Sequence, residues 1–146
     1  MSLPAPGDTV DVVIEIPRGS RVKRRPDGSV EYVSPVAVPF DYGCVPSLLS
    51  GDGDPLDAIV LGGPRPVGTR LSIPVRGVVP FIDAGRADPK LCCAESPLTD
   101  DDRRRLARFF WWFARAKWVF NALRGVEGPT EAGNLVEHGP VGTPTD

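Results

Sequence analysis

Three carboxylates stand within the six-residue segment Asp52-Gly53-Asp54-Pro55-Leu56-Asp57. They would repel one another unless cations neutralise them or the side chains point to different faces. Gly53 and Pro55 favour a tight turn, and the apolar residues after it anchor the turn to a strand. Carboxylate oxygens on such a rigid turn suit Mg²⁺. The segment lacks the glycine and terminal glutamate of an EF-hand loop, and a solvated acidic turn remains the alternative.

A second acidic segment, Asp83-Ala84-Gly85-Arg86-Ala87-Asp88-Pro89-Lys90, places two carboxylates five residues apart across a glycine-containing turn. A lysine follows the second carboxylate by two positions. Carboxylates can hold a metal while a lysine neutralises a phosphate oxygen. Alone this is an ordinary loop, but the two segments together favour a site for a metal-bound polyanion.

The bulk properties predict one domain, residues 1–146, in a cytoplasmic protein, with about 1–9 and 138–146 flexible. No stretch approaches the roughly 20 apolar residues that cross a bilayer, so no membrane partner is expected. The formal net charge is −2, which argues against nucleic acid as a partner despite a basic run from Arg18 to Arg25. Three cysteines, two of them adjacent, favour buried thiols over disulfides or a zinc site.

The elements that must position these residues are short strands and one long helix. Apolar runs broken by Gly and Pro predict a small barrel rather than a parallel sheet. The predicted strands are 10–16, a hairpin with arms 21–25 and 30–33, then 57–61, 70–79 and 91–94. Thr99 and Asp102 form a capping box, and apolar residues recur at helical spacing, which predicts a helix over 99–119. A short helical turn is expected near 130–136.

Four motifs resemble, in order, those of the family I soluble inorganic pyrophosphatases. Asp52 to Ala58, D-G-D-P-L-D-A, resembles the family signature, and Val12 to Lys23 resembles its first strand and following basic segment. Pro39 to Gly43 is similar to its P-x-x-Y-G turn, and Asp83 to Lys90 to its D-x4-D-x-K loop. The similarity runs in register from about Val10 to Val119, and the chain is a short and divergent example.

The resemblance implies a mainly β, α+β fold: a five-stranded OB-like barrel flanked by one long helix and a reduced C-terminal helix. It implies an inorganic diphosphatase that hydrolyses pyrophosphate to two phosphates with several Mg²⁺ ions, Mn²⁺ being an alternative. It also implies a homo-oligomer, for which exposed tryptophans of the helix offer a contact surface. A buried packing role for those tryptophans is the alternative.

The resemblance also assigns roles to individual residues. Asp54 would be the general base toward the attacking water. The implied metal ligands are Asp52, Asp57, Asp83, Asp88 and, through water, Glu15. The implied substrate-binding residues are Lys23, Tyr42 and Lys90, to which Arg25 is added because residues two apart on a strand share a face.

Several positions depart from the family pattern. Arg25 stands where the family has an acid, and Val33-Ser34 where it has an aspartate–arginine pair. Phe113 and Ala114 replace an adjacent tyrosine and lysine of the main helix. Arg115 and Lys117 are candidates to replace that lysine, although a helical neighbour is displaced by about 100°. The metal half of the site is therefore kept more fully than the phosphate half.

Two other functions stay open. A diverged enzyme could hydrolyse another phosphate or phosphonate compound, since fewer cationic contacts suit a less charged substrate. A non-catalytic binding module on an OB-like barrel is the second alternative. The number of retained carboxylates favours chemistry over a scaffold.

Overall fold

The computed structural model describes residues 3–24, 27–33, 37–50 and 53–138, which include one helix and ten strands. The hairpin arms and most of the remaining strands lie where the sequence predicts them. The elements are β1 Thr9–Ile16, β2 Val22–Arg24, β3 Val30–Val33, β4 Asp41–Leu49, β5 Pro55–Val60, β6 Arg70–Val79, β7 Phe81–Asp83, β8 Arg86–Ala87, β9 Lys90–Cys93, α1 Asp100–Leu123 and β10 Glu131–Ala132.

Five strands close into a barrel in the order β1-β4-β5-β9-β6. The neighbours β5 and β9 run parallel, whereas the other pairs within the barrel for which a register is given run antiparallel. The predicted five-stranded OB-like barrel flanked by one long helix is confirmed. β2 pairs with β3 as a separate hairpin, and β7, β8 and β10 form a second small sheet.

The alternation of side chains along each strand produces two apolar cores. One fills the barrel and includes Val12, Ile14, Leu56, Ile73 and Leu91. The other lies between the barrel and α1 and is built by residues that point outward. Because Asp57 and Lys90 alternate with the inward-pointing residues of β5 and β9, they face the helix side, and this alternation sets the location of the candidate site.

Helix α1 begins with the capping box that the sequence predicts. The Asp102 amide donates to Thr99 Oγ1 over 3.1 Å, and the Thr99 amide donates to Asp102 Oδ2 over 2.9 Å. The helix ends at Leu123, four residues beyond the predicted end. Asn121 of this additional turn donates to Asp83 of β7, and Lys117 one turn earlier contacts the same side chain, so the end of the helix is held against β7.

Strand β4 is an element that the sequence prediction missed. Residues Pro39 to Gly43 resemble a turn, but β4 already begins at Asp41 and pairs with both β1 and β5. At Gly43 an added Cβ would lie 2.1 Å from the carbonyl oxygen of Val13. The close approach of β1 and β4 therefore requires glycine at this position.

The C-terminal segment does not form the helical turn predicted near 130–136, so the expected reduced C-terminal helix is wrong within the described residues. Instead β10 pairs with β7, and Val136 forms a bridge with Val78. The reason is tertiary: Gly77 leaves room for Leu135, whose Cδ1 would lie 2.6 Å from a Cβ at that position. Residues 1–2 and 139–146 lie outside the described ranges.

Cys92 and Cys93 are buried thiols, as predicted, and Cys44 is partly buried. Burial is the main cause that raises the pKa of Cys44 to about 11 and that of Cys93 to about 12. Across the described part of the chain, no helix combines the length and apolar character needed to cross a membrane.

Candidate active site

Two strands of the barrel and the loop before one of them bring a lysine between two carboxylates. Asp57 of β5 and Lys90 of β9 are direct partners in the parallel register. Lys90 Nζ lies 2.5 Å from Asp57 Oδ2 and 2.8 Å from Asp88 Oδ2. The side chain of Lys90 is 1% exposed. Two acids that are 31 residues apart in the printed sequence therefore converge on one cation.

Aromatic rings surround the same ammonium group. Lys90 Nζ lies 5.3 Å from the ring centroid of Phe81 and 5.5 Å from that of Phe113. Burial alone would lower the pKa of Lys90, but the charges of Asp57 and Asp88 outweigh it and raise this pKa above its ordinary value. Phe113, where the family pattern has a tyrosine, thus contacts the site through its ring rather than a hydroxyl group.

Tyr42 reaches Asp57 from the neighbouring strand β4. It is 7% exposed, and its hydroxyl group donates a hydrogen bond to the Asp57 carboxylate. Burial favours a raised pKa for Asp57, yet the charge and hydrogen bond of Lys90 and the hydrogen bond of Tyr42 bring the pKa below its ordinary value. Asp57 is therefore held as a carboxylate by its protein neighbours.

Glu15 has the most unusual environment of the site. Its Oε1 is buried and has no hydrogen-bond partner within the described structure. Burial raises the pKa of Glu15; the nearby Lys23 opposes this effect, while Asp57 and Glu31 add to it. Lys23 itself pairs with Glu31 at 3.1 Å. A buried carboxylate oxygen without a donor is what a bound cation would satisfy.

Asp83 ends strand β7 and faces α1. Its Oδ1 accepts from Asn121 Nδ2 over 2.8 Å, and its Oδ2 lies 3.2 Å from Lys117 Nζ. Asn121 also donates to Thr130 Oγ1 over 3.1 Å, and Thr130 Oγ1 accepts from the Ala84 amide over 3.0 Å. Burial opposes ionisation of Asp83, but Asn121 and Lys117 outweigh it and lower the pKa.

The structure does not describe every predicted site residue. Asp52 and Arg25 lie outside the described ranges. Asp54 lies in the exposed turn that leads into β5, where the Ser50 amide donates to its carbonyl oxygen over 2.7 Å. The roles predicted for these three residues are untested by the geometry.

The fit of a divalent cation rests on the donors that the structure does describe. Asp57 and Asp88 already share one positive charge, and the orphaned Glu15 oxygen belongs to a carboxylate that Asp57 influences electrostatically. Within ranges 3–24, 27–33, 37–50 and 53–138, no three His, Cys, Asp or Glu side chains are grouped tightly enough to hold a metal. Lys90 separates Asp57 from Asp88, and Asp52 is outside those ranges. The donor chemistry fits a hard cation such as Mg²⁺.

Some residues around the site were missed by the sequence prediction. They are Glu31, Phe81, Asn121 and Thr130, and they act on the predicted residues rather than belonging to a motif. A signal for Asn121 exists: it follows Lys117 by four positions and Phe113 by eight, so the three share one face of α1. The partners of that face became visible only with the fold.

Comparison with known proteins gives the family. The model of the inorganic pyrophosphatase family matches residues 12–139. A soluble inorganic pyrophosphatase of Oryza sativa is 39% identical over 95 residues, covering 58% of this chain and 44% of the relative. An inorganic pyrophosphatase of Synechocystis is 35% identical over 92 residues, covering 58% of this chain and 54% of the relative. The chain thus spans about half the length of these curated relatives.

Solved structures match over more of the chain. An inorganic pyrophosphatase from Thermus thermophilus superposes with a TM-score of 0.70 and 28% identity, covering 93% of this chain and 88% of that one. The inorganic pyrophosphatase from Neisseria gonorrhoeae gives a TM-score of 0.69 and 27% identity, with coverage of 92% and 88%. Together with the family model, the barrel and the paired carboxylates, these matches show that the chain belongs to the inorganic pyrophosphatase family.

Proposed function

We propose that this protein hydrolyses inorganic pyrophosphate to two phosphates in a Mg²⁺-dependent reaction, with Mn²⁺ as an alternative metal. The observation that carries the proposal is the convergence of Asp57 and Asp88 on the ammonium group of Lys90. A third carboxylate, Glu15, has a buried oxygen without a hydrogen-bond partner among the described residues. Family membership supplies the reaction class. Pyrophosphate is a small polyanion, and a cluster of carboxylates binds it only through cations that both sides share.

Individual residues of the chain would have the following roles. Asp57, Asp88, Asp83, Asp52 and, through water, Glu15 would hold the metal ions. Bound divalent ions would lower the pKa of an attacking water and offset the charge of the phosphates.

Tyr42 and Lys90 hold Asp57 as a carboxylate, so that it needs no deprotonation before binding a metal. Asp54 would accept the proton of the attacking water from its position in the exposed turn before β5. Lys23, Arg25, Tyr42 and Lys90 would contact phosphate oxygens and stabilise charge on the leaving phosphate.

The test is the release of phosphate from pyrophosphate by the full chain, with Mg²⁺ and with EDTA, beside the variant Asp54→Asn. We expect release that needs Mg²⁺ and a lower kcat in the variant, with substrate binding largely kept. No release at any Mg²⁺ concentration would sink the proposal.

A second candidate function has one observation in its favour. Phe113 and Ala114 provide neither the hydroxyl nor the ammonium group that the family pattern has at these positions. A phosphate monoester or phosphonate carries less charge at one end and needs fewer donors there. Faster release from p-nitrophenyl phosphate than from pyrophosphate would favour this candidate, and binding without hydrolysis of either would favour a non-catalytic module.

A homo-oligomer is also proposed, with one face of α1 as its contact. Trp112, Val119 and Leu123 share one face of the helix and are 61%, 47% and 82% exposed, which is a large apolar area for one helix. Acidic residues begin α1 and Arg124 follows its end, so an antiparallel copy would pair opposite charges. Light scattering should give a multiple of 15.7 kDa that Trp112→Glu lowers. A wild-type mass of one chain would contradict this proposal.

A cytoplasmic location is the last element. Three free cysteines support it, since disulfides form and persist mainly in oxidising compartments. Fractionation of cells that express the chain should recover it with cytoplasmic markers, and its recovery with secreted proteins would contradict the proposal.

A further inference from the structure

We propose that Lys117 contacts the substrate, its ammonium group donating to a phosphate oxygen at the edge of the site where Asp83 meets α1. This inference rests on the proposed function and adds a residue that the family motifs do not assign. It also concerns the phosphate half of the site, where the chain departs from the family pattern at Phe113 and Ala114.

The first step is the limited access to Lys90. Its Nζ is in contact with Asp57 and Asp88, lies over the rings of Phe81 and Phe113, and has a side chain that is 1% exposed. An ammonium group has three N–H donors, and two of those of Lys90 already donate to Asp57 and Asp88. An anion that arrives from solvent therefore reaches Lys90 only after Asp57 or Asp88 has moved, so the phosphate contact proposed for Lys90 depends on such a movement.

The second step is the exposure of Lys117. Its side chain is 40% exposed, and Asp83 is the one carboxylate within salt-bridge distance of it among the described residues. One contact leaves further N–H donors that can point to solvent. A phosphate oxygen can therefore accept from Lys117 without displacing Asp83.

The third step is the position of Lys117 on the helix. Phe113, Lys117 and Asn121 are spaced by four and share one face of α1. Phe113 packs on Lys90, while Lys117 and Asn121 hold the two oxygens of Asp83 from successive turns. Asn121 is 7% exposed and also bonded to Thr130, and the charge of Lys90 acts on Asp83, so the carboxylate that holds Lys117 lies within electrostatic range of Lys90.

Arg115 is a second cationic residue on this part of α1, two positions before Lys117, and the geometry separates the two. Its guanidinium group lies 4.1 Å from the ring centroid of Trp111. Two residues along a helix turn the side chain by about 200°, so Arg115 points away from the face that carries Lys117. Arg115→Ala removes the same charge from the same helix, and it is the matched control.

A surface ion pair that only braces Asp83 is the competing account of Lys117, since such pairs contribute little by themselves. The two accounts differ in the effect that they predict for the affinity of inorganic phosphate. Bracing affects Asp83 and the stability of the fold, whereas a direct contact changes the affinity for phosphate. The difference persists when Asp83 is neutral, which allows a double-mutant cycle.

The experiment measures the binding of inorganic phosphate by calorimetry in saturating Mg²⁺, together with kcat and KM for pyrophosphate and the thermal midpoint. Lys117→Ala should weaken phosphate binding and raise KM by about tenfold, as expected for one charge-assisted hydrogen bond. Lys117→Arg should restore most of the loss, and Arg115→Ala should stay within about twofold of wild type. The tenfold loss should also appear when Lys117→Ala is made in an Asp83→Asn background.

Equal effects of Lys117→Ala and Arg115→Ala would overturn the inference. So would a loss that disappears in the Asp83→Asn background, or a lower thermal midpoint with phosphate affinity unchanged. Because phosphate binding needs no turnover, a chain that fails to hydrolyse pyrophosphate would contradict the proposed function and still allow Lys117 to be tested.

Discussion

Replacing Lys90 by methionine should be among the most destabilising changes near the site. The substitution keeps a side chain of similar length but removes the charge that Asp57 and Asp88 share at 2.5 and 2.8 Å. It also removes the cation from the rings of Phe81 and Phe113. Two carboxylates would then face each other at a site that excludes most water.

The magnitude follows from the burial of the three groups. Breaking a buried ion pair by removing one partner costs roughly 3–5 kcal/mol. The side chains of Asp57 and Asp88 are 20% and 10% exposed, so water offsets part of the loss. We expect the free energy of unfolding to fall by about 3 kcal/mol at neutral pH, a large part of the ~5–15 kcal/mol of an ordinary domain.

The contribution of Asp57 to stability depends on pH. The folded state holds the pKa of Asp57 below its ordinary value of 3.8, mainly through Lys90 acting against burial. This contribution to stability is therefore present above pH 3.8 and is lost as pH falls through the folded pKa. The difference between wild type and Lys90→Met should consequently shrink in acid.

Urea unfolding at several pH values, with and without Mg²⁺, is the assay. Mg²⁺ should stabilise Lys90→Met more than wild type, because it supplies the positive charge that Asp57 and Asp88 lose in the variant; at a hundredfold excess over Kd, binding adds about 2.7 kcal/mol. Lys117→Met is the matched control: it breaks a half-exposed pair and should cost less than about 1 kcal/mol. Equal losses in the two variants, or a pH-independent loss in Lys90→Met, would refute the reasoning.

Three further predictions concern single groups around the site. Glu15→Gln should raise the free energy of unfolding at neutral pH, because a carboxyl group whose pKa is raised on folding destabilises the folded state above its ordinary pKa of 4.5. The gain should vanish below pH 4.5, and catalysis by the variant should fall. Thermal melts from pH 7 to 3 check it, and a constant gain would contradict it. Wild type should lose stability below about pH 4, since Asp57 and Asp83 have pKa values lowered from 3.8; a thermal midpoint that stays level there would oppose this. Phe113→Leu should reduce the unfolding free energy by about 1–2 kcal/mol by removing ring contacts with Lys90 and Phe81. Phe113→Tyr serves as its control and should unfold like wild type, and an equal loss in both variants would be inconsistent with a role for the ring.

The sequence predicts local structure well where local signals are strong. The capping box at Thr99 and Asp102 sets the start of α1, and the alternation of β1 sets its buried face. Strand β4 escaped prediction because Gly43 and Pro46 weaken a strand signal. Gly43 is present because of β1, a neighbour that the local sequence does not reveal.

The site shows the same division between local and distant information. The motifs predict which acids and lysines matter, but Asp57 and Lys90 meet only through the parallel register of β5 and β9. The Phe113 ring over Lys90 and the amide of Asn121 that holds Asp83 come from α1. These partners lie more than 20 residues away along the chain, and no local spacing relates them to the acidic segments.

The most direct test of the central claim is the initial rate of phosphate release from pyrophosphate by wild type and Asp57→Asn, with Mg²⁺ and with EDTA. We predict release by wild type that EDTA abolishes. The variant's rate should fall by more than the roughly 10–100-fold that loss of an outer partner of a metal site costs. No release by wild type, or equal rates in wild type and Asp57→Asn, would contradict a metal-dependent pyrophosphatase built on Asp57 and Asp88.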